Sequence, residues 1–110
     1  MLPFGHGVDI VDLTRHEFDD PNFAKRYMTQ QEYEVCQKIQ DKNELRNYMA
    51  SIWSIKEAII KAINHQFIFS EINIKFTSEA PICELEGYKL FISVSFEKQF
   101  IIASAISYKI

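Results

Sequence analysis

Trp53-Ser54-Ile55-Lys56-Glu57-Ala58-Ile59-Ile60-Lys61 is the stretch whose reading decides the fold. It lies in an apolar run over 48–63 that contains no Pro or Gly and repeats large side chains at helical spacing, which predicts a mostly buried α-helix. Lys56, Glu57 and Lys61 are its ionised exceptions, and a helix that is apolar nearly all round leaves them little water, so they need partners. Glu57 and Lys61 stand four apart and share a face. Such a pair is ordinarily a helical ion pair worth a few tenths of a kcal/mol.

A second isolated carboxylate suggests more. Asp9 sits in Gly7-Val8-Asp9-Ile10-Val11-Asp12-Leu13, a β-branched segment that reads as a strand although strands disfavour Asp. Asp9 would share a face with Val11 and Leu13, while Asp12 points the other way. An acid on an apolar face needs a cation or hydrogen-bond donors. Two carboxylates from different elements suit Mg²⁺, which takes one or two protein carboxylates and completes its shell with water and substrate phosphates. Lys61 would then reach a phosphate.

The 110 residues are expected to form one domain, 1–110, long enough to bury roughly two-thirds of the unfolded surface. The hydrophobic content of 47% and aromatic content of 14% belong to a globular chain and not to a disordered tail. A net charge of −3 argues against general nucleic-acid binding, although Arg15, Lys25 and Arg26 form a local basic region. No uncharged apolar stretch approaches the roughly 20 residues of a membrane span, and the N-terminus does not read as a signal peptide, so a cytoplasmic location is expected. Cys36 and Cys83 lack CxxC or metal-ligand spacing and read as reduced small hydrophobes.

Residues 1–7, with Pro3, Gly5 and Gly7, read as an irregular lead-in in which His6 is a loop histidine or a conceivable ligand. A strand is expected over 8–14. Asp20-Pro21 reads as an N-cap and first helical position, opening a helix to about 27. Thr29-Gln30-Gln31-Glu32 fits a capping box, predicting a helix over 30–39 and giving Glu32 a structural role. Asn43 is the expected N-cap of the long helix, about 44–63, and Asn64 suits the left-handed residue that ends it. From 67 the period becomes alternating. Strands are expected at 71–76, 81–85, 88–96 and 99–109, with turns at Glu86-Gly87 and Glu97-Lys98. The expected fold is α+β, a long central helix packed on an antiparallel sheet.

Gly7-Val8-Asp9-Ile10-Val11-Asp12-Leu13-Thr14-Arg15, then Phe23-Ala24-Lys25-Arg26-Tyr27-Met28-Thr29-Gln30-Gln31-Glu32, then Trp53 to Ala62, resembles in order the holo-[acyl-carrier-protein] synthase family, the short-chain 4′-phosphopantetheinyl transferases. Phe91-Ile92-Ser93-Val94-Ser95 and Phe100-Ile101-Ile102-Ala103-Ser104 resemble the last two strands of that family. The resemblance implies the phosphopantetheinyl transferase fold and transfer of the phosphopantetheine arm of coenzyme A to a serine of apo acyl carrier protein, releasing adenosine 3′,5′-bisphosphate.

By the same resemblance Asp9 and Glu57 would be the Mg²⁺ ligands, the ion bridging the two phosphates of coenzyme A. Glu57, directly or through water, would help deprotonate the serine. Lys61 would pair with a coenzyme A phosphate and Ser95 would add a hydrogen bond. Arg15, Lys25 and Arg26 would dock the acidic carrier protein. Family members usually form trimers with active sites shared between subunits. Three positions depart from the family pattern: Ile52 where many relatives have Arg, Asn64-His65-Gln66 in place of Gly-Thr-Gly, and Phe96 in place of His or Asp. The first two fall near the expected coenzyme A site, and the lost cation and the lost polar group imply weaker coenzyme A binding, substitution by His65 or Lys56, or a slow enzyme. The alternative they leave open is a non-catalytic module that binds carrier protein and has lost coenzyme A chemistry.

Overall fold

The computed structural model describes residues 3–110, so Met1 and Leu2 of the expected lead-in lie outside the described residues. In chain order the elements are β1 (Phe4–Asp12), a 3₁₀ turn (His16–Asp19), α1 (Pro21–Ala24), α2 (Gln30–Lys38), α3 (Lys42–Ile63), a second 3₁₀ turn (Phe69–Glu71), β2 (Ile74–Lys75), β3 (Ile82–Cys83), β4 (Tyr88–Glu97) and β5 (Phe100–Lys109). β5 is the middle strand of an antiparallel sheet in the order β1-β5-β4, and β2 pairs with β3 separately. The α+β arrangement is the one the sequence predicts.

α3 lies against one face of the sheet because that face has been emptied of bulk. β5 presents the buried Ala103 and Ala105 there, and β1 presents Gly5 and Gly7. A Cβ at Gly7 would stand 2.0 Å from the carbonyl oxygen of Ala58, and one at Gly5 1.7 Å from that of Ala62. These glycines therefore do not break the strand. They let a helix backbone touch it, which is why β1 starts at Phe4 instead of residue 8. Ser107 Oγ donates to the Ala62 carbonyl at 3.1 Å and fastens the same contact. Met49, Ile52, Ile55 and Ile59 of α3 are fully buried in the core. Truncating any of these isoleucines to Ala would cost about 2–5 kcal/mol.

The opposite sheet face is apolar and open. Phe4, Ile10, Phe91, Ile106 and Tyr108 are all exposed on it. His6 is on this face too, in a strand and not a loop, with Nε2 3.2 Å from Ser104 Oγ.

Element ends follow their caps. The Thr29–Glu32 capping box forms as predicted, with Glu32 N–H donating to Thr29 Oγ1 and Thr29 N–H to Glu32 Oε1. Asn64 ends α3 with φ 52°. The start of α3 moves to Lys42 because Asp41, not Asn43, accepts from the Glu44 N–H at 2.9 Å. α1 stops at Ala24, short of 27, since adjacent Tyr27 and Met28 both turn into the core. The expected strand 71–76 shrinks to two residues: the Ile74 N–H donates to Glu32 Oε2, and Phe76 is exposed. Lys98, at φ 54°, supplies the left-handed residue of the β4–β5 turn. Cys36 and Cys83 are free thiols whose pKa values burial pushes up to about 11. Among the described residues no helix is long and apolar enough to cross a membrane.

Candidate active site

Asp9 is held on the helix-facing side of β1 by its pairing with Ala103 of β5. Its carbonyl accepts from Ser54 Oγ at 3.4 Å, which ties the strand to α3 at that level. Its carboxylate is only 15% exposed; Oδ1 accepts from Lys61 Nζ at 3.4 Å. Oδ2 is buried with no hydrogen-bond partner. Glu57 stands half-buried one turn before Lys61 on α3. Burial raises the pKa of the Glu57 carboxyl; the negative charge of Asp9 raises it further, and Lys61 pulls the other way.

The expected Asp9, Glu57 and Lys61 thus come together, but with changed pairing. Lys61 does not form the i,i+4 bridge to Glu57. It crosses to β1, donating to the Val8 carbonyl at 2.9 Å and to Asp9. The backbone oxygen is a fixed acceptor next to Asp9, so the ammonium satisfies two groups there and acts on Glu57 only through its charge.

Members of this cluster line two recesses. Glu57 and Arg26 line one of about 550 Å³, walled by Phe23, Tyr27, Trp53 and Phe69. Lys61 and Asn64 line the other, about 340 Å³, together with Gly5, His6 and Ser107. The aromatic wall was missed in the sequence, although Trp53 stands four residues before Glu57 in the predicted long helix, a spacing that puts the two on one face. Trp53 packs against Phe23, Tyr27 and Phe69 with ring centroids 5.7, 5.2 and 5.5 Å away.

Arg26 is exposed and makes no ion pair among the described residues. Arg15 is tied to Glu17 at 2.8 Å and lies over the Phe18 ring, while Lys25 lies over the Tyr33 ring. His65 is exposed just past the helix end, with no hydrogen bond to the cluster. Ser95 pairs with Ile102 on the open sheet face, the side away from Asp9 and α3. Within one chain it does not join the site.

Two other expectations are overturned. Lys56 cannot reach coenzyme A, because it is fully buried and its Nζ is spent on Glu32 Oε1, Tyr27 O and Phe69 O. Ile52 is also fully buried in the core, so that departure lies away from any ligand surface.

Among the described residues no group of three or more His, Cys, Asp or Glu side chains gathers as a metal cage. A two-carboxylate site is the sparser kind that suits Mg²⁺ with substrate phosphates and water.

Comparison with known proteins decides the family. The model of the 4′-phosphopantetheinyl transferase superfamily matches residues 5–105. The chain belongs to that superfamily. A holo-[acyl-carrier-protein] synthase of Mycoplasmopsis pulmonis is 38% identical to this transferase over 97 residues, covering 88% of this chain and 83% of the relative. One from Mycoplasma pneumoniae is 34% identical over 109 residues, covering 94% and 92%. Among solved structures, a holo-(acyl-carrier-protein) synthase from Bacillus anthracis, in complex with CoA (3′,5′-ADP), superposes with a TM-score of 0.85 at 25% identity over 96% of both chains. The transferase therefore has the fold and the enzyme class that the sequence motifs imply.

Proposed function

We propose that this transferase moves the 4′-phosphopantetheine group of coenzyme A to a serine of apo acyl carrier protein with Mg²⁺, leaving holo carrier protein and adenosine 3′,5′-bisphosphate. The names of the two mycoplasma relatives support the acceptor, and the ligand of the Bacillus anthracis relative supports the donor. The observation that carries the reading is the buried, unpartnered Oδ2 of Asp9 beside a second carboxylate. A buried carboxylate oxygen without a donor is costly, and a hard cation held by Asp9 and Glu57 would satisfy it. When bound there, Mg²⁺ would neutralise pyrophosphate charge and make the phosphorus more electrophilic.

The chain supplies the rest. Lys61, half-exposed, can swing from Asp9 to a coenzyme A phosphate in the recess it shares with Asn64, with His65 nearby. Glu57, directly or through a bound water, would take the serine proton from its place in the recess it shares with Arg26. The serine oxygen then bonds to the phosphorus that bears pantetheine. The bond from that phosphorus to the bridging oxygen breaks, and its electron pair leaves on adenosine 3′,5′-bisphosphate. Arg26 shares a cleft with Glu57, so a carrier protein drawn to Arg26 brings its serine to the base. Arg15 and Lys25 widen the attraction.

The same reading makes the protein a homotrimer. Phe4 and Ile10 are 65% and 61% exposed on the open sheet face, a surface that a second copy would cover. Ser95 lies on that face, where an interface could present it to a neighbouring site. A cytoplasmic location goes with free thiols at Cys36 and Cys83.

Apo carrier protein incubated with the transferase, coenzyme A and Mg²⁺ should gain the mass of one phosphopantetheine. Asp9→Ala and Glu57→Ala should each lower the rate by about 10³-fold or more while the fold survives, a loss of several kcal/mol of transition-state stabilisation. Carrier protein left unmodified by a large amount of this chain, while another synthase modifies it in the same buffer, would refute the reading. Calorimetric binding of carrier protein without any heat from coenzyme A and Mg²⁺ would identify a binding module instead.

A further inference from the structure

Lys56 directly precedes Glu57, yet α3 turns it about 100° away, into the core. There its ammonium uses its three donors on Glu32 Oε1 at 2.7 Å, the Tyr27 carbonyl at 2.8 Å and the Phe69 carbonyl at 2.6 Å. Those carbonyls have no place in a regular ladder. Residues 25–27 are turns after α1, and Phe69 opens a 3₁₀ turn. Both belong to the walls of the recess that holds Glu57 and Arg26, and their rings flank Trp53. Glu32 extends the grip: it also takes the amides of Thr29 and Ile74, and Thr29 Oγ1 donates to Asn73 Oδ1 at 2.5 Å.

We propose that Lys56 is a positioning residue for the acceptor: its ammonium sets the spacing between the Tyr27 wall and the Phe69 wall, and so the fit of the carrier protein against Arg26 and Glu57. A core that needed only volume would take an apolar side chain here, because a buried ion pair is weak evidence for stability. Three directed bonds to three separate segments specify a shape. The coenzyme side does not share this anchor, since Asp9 and Lys61 are fixed through β1 and the Val8 carbonyl. The two substrates should therefore respond differently to its loss.

The inference rests on carrier docking at the Arg26 cleft, and Arg26→Glu is the control for that. Steady-state transfer is measured for Lys56→Met, for Lys56→Met/Glu32→Gln, which removes the stranded carboxylate, and for Asn73→Ala, which trims the partly exposed end of the same network. Rates are normalised to folded protein by circular dichroism, and coenzyme A binding with Mg²⁺ is measured by calorimetry. Carrier KM should rise about tenfold in the Lys56 variants and several-fold in Asn73→Ala, with coenzyme A affinity within about twofold of the parent. A rise in carrier KM matched by an equal loss of coenzyme A affinity indicates a merely structural lysine and overturns the proposal. Should both Lys56 variants fail to fold, an unchanged carrier KM in Asn73→Ala overturns it equally. If Arg26→Glu itself leaves carrier KM unchanged, the docking reading fails and not the positioning argument alone.

Discussion

Two lysines five positions apart on α3 meet carboxylates in opposite states. Lys56 is fully buried, and the pair it makes with Glu32 is closed: both Glu32 oxygens and the ammonium have partners from the backbone as well as from each other. Burial pulls the Lys56 pKa down and the Glu32 carboxylate works against that pull. Lys61 is 51% exposed, its contact with Asp9 is longer at 3.4 Å, and Asp9 Oδ2 has nothing. Packing explains every atom of the first pair. The second is left with an unfilled need beside Glu57, which is what a binding centre requires before its ligand arrives.

The largest stability effect should come from the closed pair. Lys56→Met leaves Glu32 charged in the core and should cost about 3–5 kcal/mol in a urea melt. Lys56→Met/Glu32→Gln, which removes both charges and keeps an amide oxygen as an acceptor, should regain part of that loss. A single variant as stable as the parent would break the contrast, because it would mean that Glu32 finds water or another cation.

Next in size is Lys61→Met. Its ion pair is exposed enough to be worth about 0–1 kcal/mol, so the melt should hardly move. Transfer should nevertheless fall about 100-fold, the loss of one well-placed charge on a phosphate. A variant that melts much earlier while keeping its rate would show that Lys61 is a strut like Lys56 and would erase the distinction between the two.

Much of this was legible before any fold was known. Asp9 in a strand and Glu57 in a buried helix are charged residues in apolar elements, the kind of conflict that marks a candidate site, and the fold brings the two together. The capping box at Thr29 and the left-handed end at Asn64 are local, so the chain announces them. What stayed hidden depends on contacts distant in sequence. Gly5 and Gly7 looked like irregular backbone because the carbonyls of Ala58 and Ala62 that they accommodate are more than fifty residues on. Lys56 looked available to coenzyme A because nothing local to it names Glu32, Tyr27 and Phe69. Ser95 matches the motif yet lies across the sheet from Asp9, which one chain's sequence cannot reveal.

The smallest effect tests the contrast by its sign. Burial, and then Asp9, hold the Glu57 carboxyl above its unfolded value of 4.5. The folded chain without a divalent ion therefore binds that proton more tightly than the unfolded chain does. Ionising Glu57 works against folding: its cost is full above the raised pKa, shrinks as pH falls through it, and vanishes below the unfolded value. Glu57→Gln mimics the protonated form. In a chelating buffer it should melt slightly above the parent near neutral pH, and the gap should close as pH approaches about 4. Asp9→Asn should shrink the gain, since Asp9 is the second cause of the shift. Glu32→Gln, made in the closed pair, should lower the melt near neutral pH because it strands Lys56. A Glu57→Gln variant that is neutral or destabilised there would mean that its carboxylate is already satisfied by the protein, leaving no reason for a cation to bind between it and Asp9.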